Sequence, residues 1–197
     1  MNGYEKRTKE KREMIVKAAQ ELFAEGGISN VSITDIAAKA GVSRVTIFKY
    51  FGDKETLAKE AMKAWIEYLI KEYHEIVSSN LPYTKKLLVL FRTRISGREK
   101  IGEQFINSTA WDDPEMRKLI YDMSKKYTLP MILDFIQEGR DTGNIDSSIN
   151  NDAIFAYLSA FGPIVSNPEY IKKGPEFQAS IFNLFMGGLI KGWYDIN

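Results

Sequence analysis

The chain has 197 residues, with 27 lysines and arginines, 26 aspartates and glutamates, and no cysteine. This near-neutral balance argues against a protein that coats nucleic acid without reading its sequence, and the lack of cysteine excludes disulfides and thiol chemistry. The charged N-terminus and the absence of an apolar run of about 18 residues predict a soluble, cytoplasmic protein with no membrane span.

The first predicted helix runs from about residue 8 to residue 25. Ile15, Leu22 and Phe23 recur at helical spacing and form an apolar stripe that is expected to pack on the helices that follow. The pair Gly26-Gly27 is predicted to end the helix. The polar segment ahead of the stripe, residues 5–12, is predicted to be a solvated arm, and the alternative is that it lies near the DNA backbone.

Two short helices joined by a tight turn are predicted next. Ser32 and Asp35 have the S-x-x-D form of a capping box, which marks the start of the first short helix. Gly41 supplies the backbone freedom that the turn requires. Ser43 then caps a second helix over residues 44–51. This pattern is typical of the helix-turn-helix, whose second helix enters the major groove of DNA.

The charge distribution agrees with a compact DNA-binding face. Residues 1–51 hold nine basic and six acidic residues, a net charge of +3, although the whole chain carries only +1. No acidic residue lies between Lys39 and Gly52. A local positive patch on a neutral protein favours binding of the phosphate backbone at one place on the surface.

Four runs of residues extend the motif beyond a bare helical hairpin: Thr34-Asp35-Ile36-Ala37, Ala40-Gly41-Val42-Ser43, Thr46-Ile47-Phe48-Lys49-Tyr50-Phe51 and Lys54-Glu55-x-Leu57. Together they closely resemble the DNA-binding domain of the TetR family of transcriptional regulators, over about residues 8–60. The resemblance implies an N-terminal helix-turn-helix domain, residues 1–53, and a larger helical ligand-binding and dimerisation domain, residues 54–197.

The resemblance also implies how the second short helix reads DNA. Arg44, Val45 and Thr46 at its start are expected to face base edges. Arg44 suits a bidentate contact to guanine, and Val45 suits the methyl group of thymine. Lys49 is expected to contact either a base or a phosphate.

A further set of residues is expected at the phosphates. Tyr50 and Lys54 take this role by resemblance, as does Ser32 or Thr34 near the N-terminus of the first short helix, where backbone amides favour anions. The remaining apolar residues of the second helix are predicted to lie in the core: Ile47, Phe48 and Phe51.

A long helix over about residues 54–78, capped by Asp53, is predicted to connect the two domains. His74, the only histidine, falls on its polar face, and a lone exposed histidine makes neither a metal site nor a catalytic base. No Gly-rich phosphate loop and no paired-carboxylate motif occurs. The sequence therefore predicts a protein that is not an enzyme and that needs neither cofactor nor metal.

The rest of the chain is predicted to be helical, so that the fold class is all-α. One long helix is expected over residues 116–136, with a kink at Pro130 and an end at Gly139 or Gly143. Two more are predicted near residues 151–162 and 175–194. No segment shows the alternation of a strand.

The last two helices are predicted to pair with their copies in a homodimer, as in TetR regulators. They are apolar around much of their circumference, and the last one is expected to contain Gly187, Gly188 and Gly192, each of which costs about 1 kcal/mol relative to alanine. Close approach of helices would offset that cost. The alternative is ordinary packing inside one subunit. A two-fold dimer would place two recognition helices on successive major grooves of a palindrome.

The resemblance further implies an apolar pocket for a small ligand in the C-terminal domain. The candidate lining residues are large and apolar: Phe91, Phe105, Trp111, Met123 and Tyr127. Each of them also suits an ordinary core position, and the sequence does not identify the ligand.

The sequence thus predicts a homodimeric transcriptional regulator, by family habit a repressor, that binds double-stranded DNA at a palindromic operator. A small apolar or amphipathic ligand is expected to release the protein from DNA. It would do so by favouring a conformation in which the two DNA-binding domains of the dimer have the wrong spacing for the operator. The alternative is a DNA-binding adaptor of the same fold that acts through a protein partner, which would show a charged partner surface and no enclosed pocket.

Overall fold

The computed structural model describes residues 3–101, 113–165 and 167–193. The helices in these ranges are α1 (Gly3–Asn30), α2 (Ile33–Ala40), α3 (Arg44–Phe51), α4 (Lys54–Val77), α5 (Tyr83–Ile101), α6 (Pro114–Met123), α7 (Leu129–Asp141), α8 (Asn151–Val165), α9 (Pro168–Ile171) and α10 (Pro175–Leu189). No strand occurs in the described residues, and the predicted all-α fold is confirmed. None of the described helices is long and apolar enough to cross a membrane.

The chain divides into two compact units. Unit 1 comprises Met1–Glu72 and Gly97–Lys126, and it contains the whole of the predicted DNA-binding domain together with most of α4 and all of α6. Unit 2 comprises Tyr73–Ser96 and Tyr127–Asn197.

The core of unit 1 holds the short helices in place. The predicted stripe of α1 is largely buried there, with Ile15 and Phe23 fully inaccessible to solvent. Ile36 of α2, Ile47 of α3 and Leu57 of α4 are equally inaccessible and belong to the same cluster. Burial of side chains of this size contributes about 1.5–3 kcal/mol each, so the four helices form one cooperative body.

The core of unit 2 is rich in stacked aromatic rings. Phe161 of α8 stacks on Phe185 of α10 with ring centroids 3.9 Å apart, and Tyr157 stacks on the same ring at 5.2 Å. Phe91 of α5 packs against Phe182 at 4.8 Å. The aromatic side chains of the last two long helices therefore serve first to hold α5, α8 and α10 together.

A buried lysine closes the end of α4 within unit 2. Lys86 of α5 is only 6% exposed. Its Nζ donates to the carbonyl oxygen of Val77, the last residue of α4, and to Oε1 of Glu138, each at 2.7 Å. A buried ammonium is tolerated only when it is paired and hydrogen-bonded, and both conditions are met here.

The predicted kink near Pro130 takes a different form. The helix is interrupted by one π-helical turn at Ser124–Thr128, and Pro130 lies in the first turn of α7 that follows. Proline is well tolerated there because the first amides of a helix have no intrahelical acceptor. Asp113 caps α6, with its Oδ1 accepting from the amide of Glu115 at 3.0 Å.

Candidate DNA-binding interface

Local hydrogen bonds fix both short helices at the positions that the sequence predicts. The Ser32 hydroxyl donates to Asp35 Oδ2 at 2.6 Å and accepts from the Asp35 amide at 3.2 Å, while Asp35 accepts in return from the Ser32 amide. The hydrogen bond from the Ser32 side chain, followed by that from its backbone, lowers the pKa of the Asp35 carboxyl. The capping box is thus complete.

The turn and the start of α3 are equally well defined. Gly41 adopts the left-handed conformation with φ 63° and ψ 34°, which a side chain would disfavour. Ser43 Oγ accepts from the amide of Thr46 at 3.1 Å, and the two hydroxyl groups are 2.9 Å apart. These contacts fix the first turn of α3 to the residue that precedes it.

The side chains of α3 divide between a buried and an exposed face. Ile47 and Phe51 are buried. Arg44 and Lys49 are exposed, and Val45 is 76% exposed. The exposed face carries two positive charges and no acidic residue, which is the composition that a DNA-reading surface requires.

Phe48 differs from its predicted position. It was expected in the core with Ile47 and Phe51, but its side chain is 45% exposed. In a helix with about 3.6 residues per turn, residue 48 lies between residues 44 and 45 on the wheel, so it shares their outward face. Apolar character alone therefore assigned it to the wrong side of α3.

The predicted phosphate-binding residues lie in three different environments. Thr34 is exposed on α2, as is Ser32, whose hydroxyl is engaged in the capping box. Tyr50 is half-buried and packs against the core of unit 1. Lys54 donates through Nζ to the carbonyl oxygens of Ile28 at 3.0 Å and Val31 at 3.2 Å.

The contacts of Lys54 give it a structural task that the sequence did not suggest. Its ammonium ties the C-terminal end of α1, and the residue that follows it, to the first turn of α4. An ammonium has three donors, and two of them are used in these bonds. Its predicted phosphate contact remains a prediction.

Arg12 on α1 contacts both α3 and α4 in unit 1, although it belongs to the segment predicted as a solvated arm. Its Nη1 donates to the carbonyl oxygen of Tyr50 at 2.6 Å, in the last turn of α3. Its guanidinium lies 4.5 Å from the ring centroid of Phe51, and Nη2 is 3.8 Å from Glu60 Oε2 on α4. A cation at the C-terminal end of α3 is also favoured by the helix dipole.

A signal for Arg12 was present in the sequence. Residue 12 precedes Ile15 by three positions and so continues the buried stripe of α1 by one turn. A long side chain at that place can cover apolar surface with its methylenes and reach polar groups beyond it.

We expect the change Arg12→Gln to destabilise unit 1 by about 1–2 kcal/mol. It removes a charged hydrogen bond and a cation–π contact, and both are partly exposed to solvent, which limits the loss. Specific DNA affinity should fall with it, since the last turn of α3 loses its anchor to α1. Thermal unfolding and DNA-binding anisotropy measure the two effects.

Arg7→Gln is the matched control for this prediction. Arg7 lies on the same helix. Within the part of the chain that the structure describes, its hydrogen bond runs from Nε to the carbonyl oxygen of Gly3, one turn away, at 3.1 Å. It should behave as wild type in both assays. Equal unfolding temperatures and affinities for Arg12→Gln and Arg7→Gln would contradict the anchoring role.

The predicted pocket residues do not share one environment. Phe91 lies in the aromatic cluster of unit 2. Met123 is buried in unit 1, and Tyr127, the first residue of the second segment of unit 2, is 43% exposed. Phe105 and Trp111 lie outside the described residues. The pocket lining stays a prediction.

The last two long helices present a surface stripe beside their buried residues. On α8 the exposed residues at helical spacing are Ala153, Ala156, Ala160 and Ile164. On α10, Leu184 is 65% exposed and Gly188 is exposed beside it. The residues of this stripe are apolar, most of them have small side chains, and none carries a charge.

The glycines of the last helix also differ from the prediction. A methyl group on Gly188 would overlap Tyr157 Oη and lie 2.9 Å from its Cζ, so this glycine allows α8 and α10 of the same chain to approach closely. Gly192 lies beyond the end of α10 and has φ 67°. It was predicted inside the helix, and it instead permits a left-handed turn.

These elements define a class: the chain is a helix-turn-helix DNA-binding protein with a larger α-helical part. Residues 15–61 match the family model "Bacterial regulatory proteins, tetR family". The HTH-type transcriptional repressor KstR2 of Mycolicibacterium smegmatis is 22% identical over 155 residues, 75% of this chain and 74% of that protein.

Two further comparisons agree with this match. The fatty acid metabolism regulator protein of Bacillus subtilis is 26% identical over 162 residues, 81% of this chain and 82% of that protein. The crystal structure of the transcriptional regulator FadR from Bacillus subtilis in complex with stearoyl-CoA has a TM-score of 0.68 at 22% identity, covering 89% of this chain and 98% of that one. Residues 15–61 thus carry the DNA-binding region of the tetR family of bacterial regulatory proteins, and the chain is a DNA-binding transcriptional regulator.

Proposed function

We propose that the protein is a repressor that binds a palindromic operator as a homodimer and leaves it when a small apolar or amphipathic ligand binds. The exposed face of α3 carries the proposal. It combines a guanidinium suited to guanine, an ammonium suited to phosphate or base, and an exposed valine, on a helix that is capped and anchored by the rest of unit 1.

The stripe on α8 and α10 supports a dimer. Tyr157 Oη donates to the carbonyl of Phe185 at 2.9 Å, so the two helices form one packed pair within the chain. Their outward residues include three alanines and Ile164 on α8 and the exposed Leu184 on α10, which permit close apolar contact with a second copy. One helix on DNA discriminates poorly, whereas two related by a two-fold axis read both halves of a palindrome.

The nature of the ligand is proposed from two relatives and from the apolar interior of unit 2. One relative is named a fatty acid metabolism regulator, and the similar FadR structure holds stearoyl-CoA. The core of unit 2 is apolar and aromatic, so a pocket that opened within it would have the apolar lining that a long acyl chain requires. Stearoyl-CoA is therefore the first probe, with stearate and free coenzyme A as the two halves of the molecule tested separately.

Binding to a labelled duplex from the DNA that flanks the gene tests the DNA-binding part of the proposal. Replacement of Arg44 by alanine should lower the affinity of the dimer at least about 30-fold, since a bidentate base contact contributes about 1–3 kcal/mol at each half-site. The slope of affinity against salt should change little, because the lost contact is to a base. Fluorescence anisotropy at several salt concentrations measures both quantities.

Arg92→Ala is the matched control, because it removes the same charge from an exposed position of α5. It should bind the duplex as wild type does. If wild type and both variants bind the duplex equally weakly, and random DNA competes as well as the specific sequence, sequence-specific recognition of that duplex is contradicted.

Release of the bound duplex by stearoyl-CoA would support the proposed ligand. Release by none of the three probes would contradict an acyl-CoA effector and favour the adaptor alternative.

A further inference from the structure

The exposure of Phe48 is an observation that packing does not explain. A phenylalanine buries about 150–250 Å² when it enters a core, so an aromatic ring left 45% exposed on a short helix forfeits much of that stabilisation. Large apolar side chains that remain accessible beside charged ones mark a surface that binds something. On α3 the neighbouring Val45 is 76% exposed, so the two together form an apolar patch.

The patch occupies the middle of the outward face of α3. At about 100° per residue, the four exposed residues Arg44, Phe48, Val45 and Lys49 follow one another around an arc of about 140°. The two charged residues stand at its edges, and the two apolar residues stand between them. Thr46, which was expected to face the bases, lies outside the arc, is half-buried, and has its hydroxyl 2.9 Å from that of Ser43.

The flanking charges restrict what the patch can meet. An apolar pair between a guanidinium and an ammonium, with no acidic residue on the helix, is complementary to an apolar group set between anions. The major groove of DNA offers one such group, the 5-methyl of thymine, and phenylalanine is among the side chains that contact it. Side chains at i and i+3 are about 5–6 Å apart, which spans one to two base-pair steps of about 3.4 Å.

We propose that Phe48 is a specificity-determining residue that, beside the thymine contact already expected of Val45, selects a second, neighbouring thymine of each half-site through contact with its 5-methyl group. The inference rests on the proposed function, since it assumes that α3 lies in the major groove. It assigns to Phe48 the place on the reading face that was first given to Thr46.

Removal of the thymine methyl groups alone tests the proposal. The wild-type protein first selects duplexes from a random-sequence library, and the enriched sequence is then synthesised with each thymine in turn replaced by deoxyuridine, in both half-sites. Uracil keeps every hydrogen-bonding group and lacks only the methyl. At two neighbouring positions we expect affinity to fall about fourfold per half-site, or about 15-fold for the symmetric pair, which corresponds to the burial of one methyl group each.

Variants connect each methyl group to its side chain. For Phe48→Ala, thymine and uracil duplexes should bind equally at one of the two positions, and for Val45→Ala at the other. Met14→Ala is the control, because Met14 is 50% exposed on α1 and should keep the full uracil penalty. The variants change exposed residues, so each should unfold at nearly the wild-type temperature.

The outcomes separate the two levels of the argument. Enrichment of a palindrome in which uracil substitution has no effect, or in which Phe48→Ala keeps the full penalty at both positions, would overturn the thymine contact and leave the proposed function intact. Failure to enrich any sequence would overturn both. A uracil penalty that disappears on Thr46→Ala instead would return the reading role to Thr46.

Discussion

Replacement of Leu184 by aspartate is expected to leave the protein folded but monomeric. Leu184 is 65% exposed on α10, so the substitution takes nothing from the core of unit 2. In the proposed dimer the same side chain would be buried against the partner, and a carboxylate there would lie near its own copy across the two-fold axis, without a positive charge in the stripe to pair with it.

Loss of the dimer should reduce operator affinity at least about 100-fold. A single α3 contacts one half-site, and specific complexes bind about 10³–10⁷ times more tightly than the same protein on random DNA, an advantage that a monomer largely loses. Sedimentation velocity at micromolar concentration measures the oligomeric state, and anisotropy measures the affinity.

The control for this change is Leu81→Asp, which makes the same substitution at an exposed leucine between α4 and α5. It should remain dimeric and bind as wild type. A wild-type protein that sediments as a monomer, or a Leu184→Asp variant that remains dimeric with unchanged affinity, would contradict the proposed interface.

The helices of the DNA-binding domain were predictable because the sequence patterns that mark their ends are local. The capping box of Ser32 and Asp35, the left-handed Gly41 and the cap at Ser43 each act within four residues, so they can be recognised without knowledge of the fold. The order and type of the helices follow from such signals together with the apolar stripes.

What the sequence did not reveal depends on contacts between residues far apart in the chain. Arg12 meets Tyr50 over 38 positions, and Lys54 reaches Ile28 over 26. Both are basic residues in a DNA-binding domain, for which contact with phosphate is the natural expectation. The structure gives each of them a backbone carbonyl as partner, and no local pattern indicates such a contact. Phe48 was misplaced because an eight-residue helix has too few turns for its apolar residues to define one face.

The ligand-binding part was the least predictable. Its candidate residues were chosen for size and apolarity, and these properties are the same for a pocket wall and for a packed core. Phe91, for example, contacts Phe161 and Phe182 in the core of unit 2, as any core aromatic would.

Gly139 illustrates the same difficulty and yields a prediction of large effect on stability. The sequence allowed either Gly139 or Gly143 to end the helix after Pro130. The structure assigns the end to Gly143, which has φ 73° two residues beyond the last residue of α7. Gly139 lies inside α7 and is buried, and its carbonyl accepts from the amides of Asn144 at 2.8 Å and Ile145 at 2.9 Å.

The change Gly139→Ala should destabilise unit 2 by about 1–3 kcal/mol, although alanine in a helix is normally favoured over glycine by about 1 kcal/mol. The added methyl would lie 2.5 Å from Oη and 2.6 Å from Cζ of Tyr83, and 2.9 Å from Cδ1 of Ile145. Neither neighbour can move aside easily, because Tyr83 is buried and stacks on Phe135 at 4.6 Å, and Ile145 is only 3% exposed. Thermal and denaturant unfolding measure the change.

Two further variants distinguish a clash with Tyr83 from a general effect of the substitution. Gly3→Ala adds the same methyl to α1 where no atom lies within 4 Å, and it should unfold at or slightly above the wild-type temperature. In a double-mutant cycle, Tyr83→Ala is destabilising by itself, but the additional cost of Gly139→Ala should then largely disappear, since the ring that obstructs the methyl is gone. If Gly139→Ala costs as much without the Tyr83 ring as with it, the close approach of α5 and α7 is not the reason for the glycine.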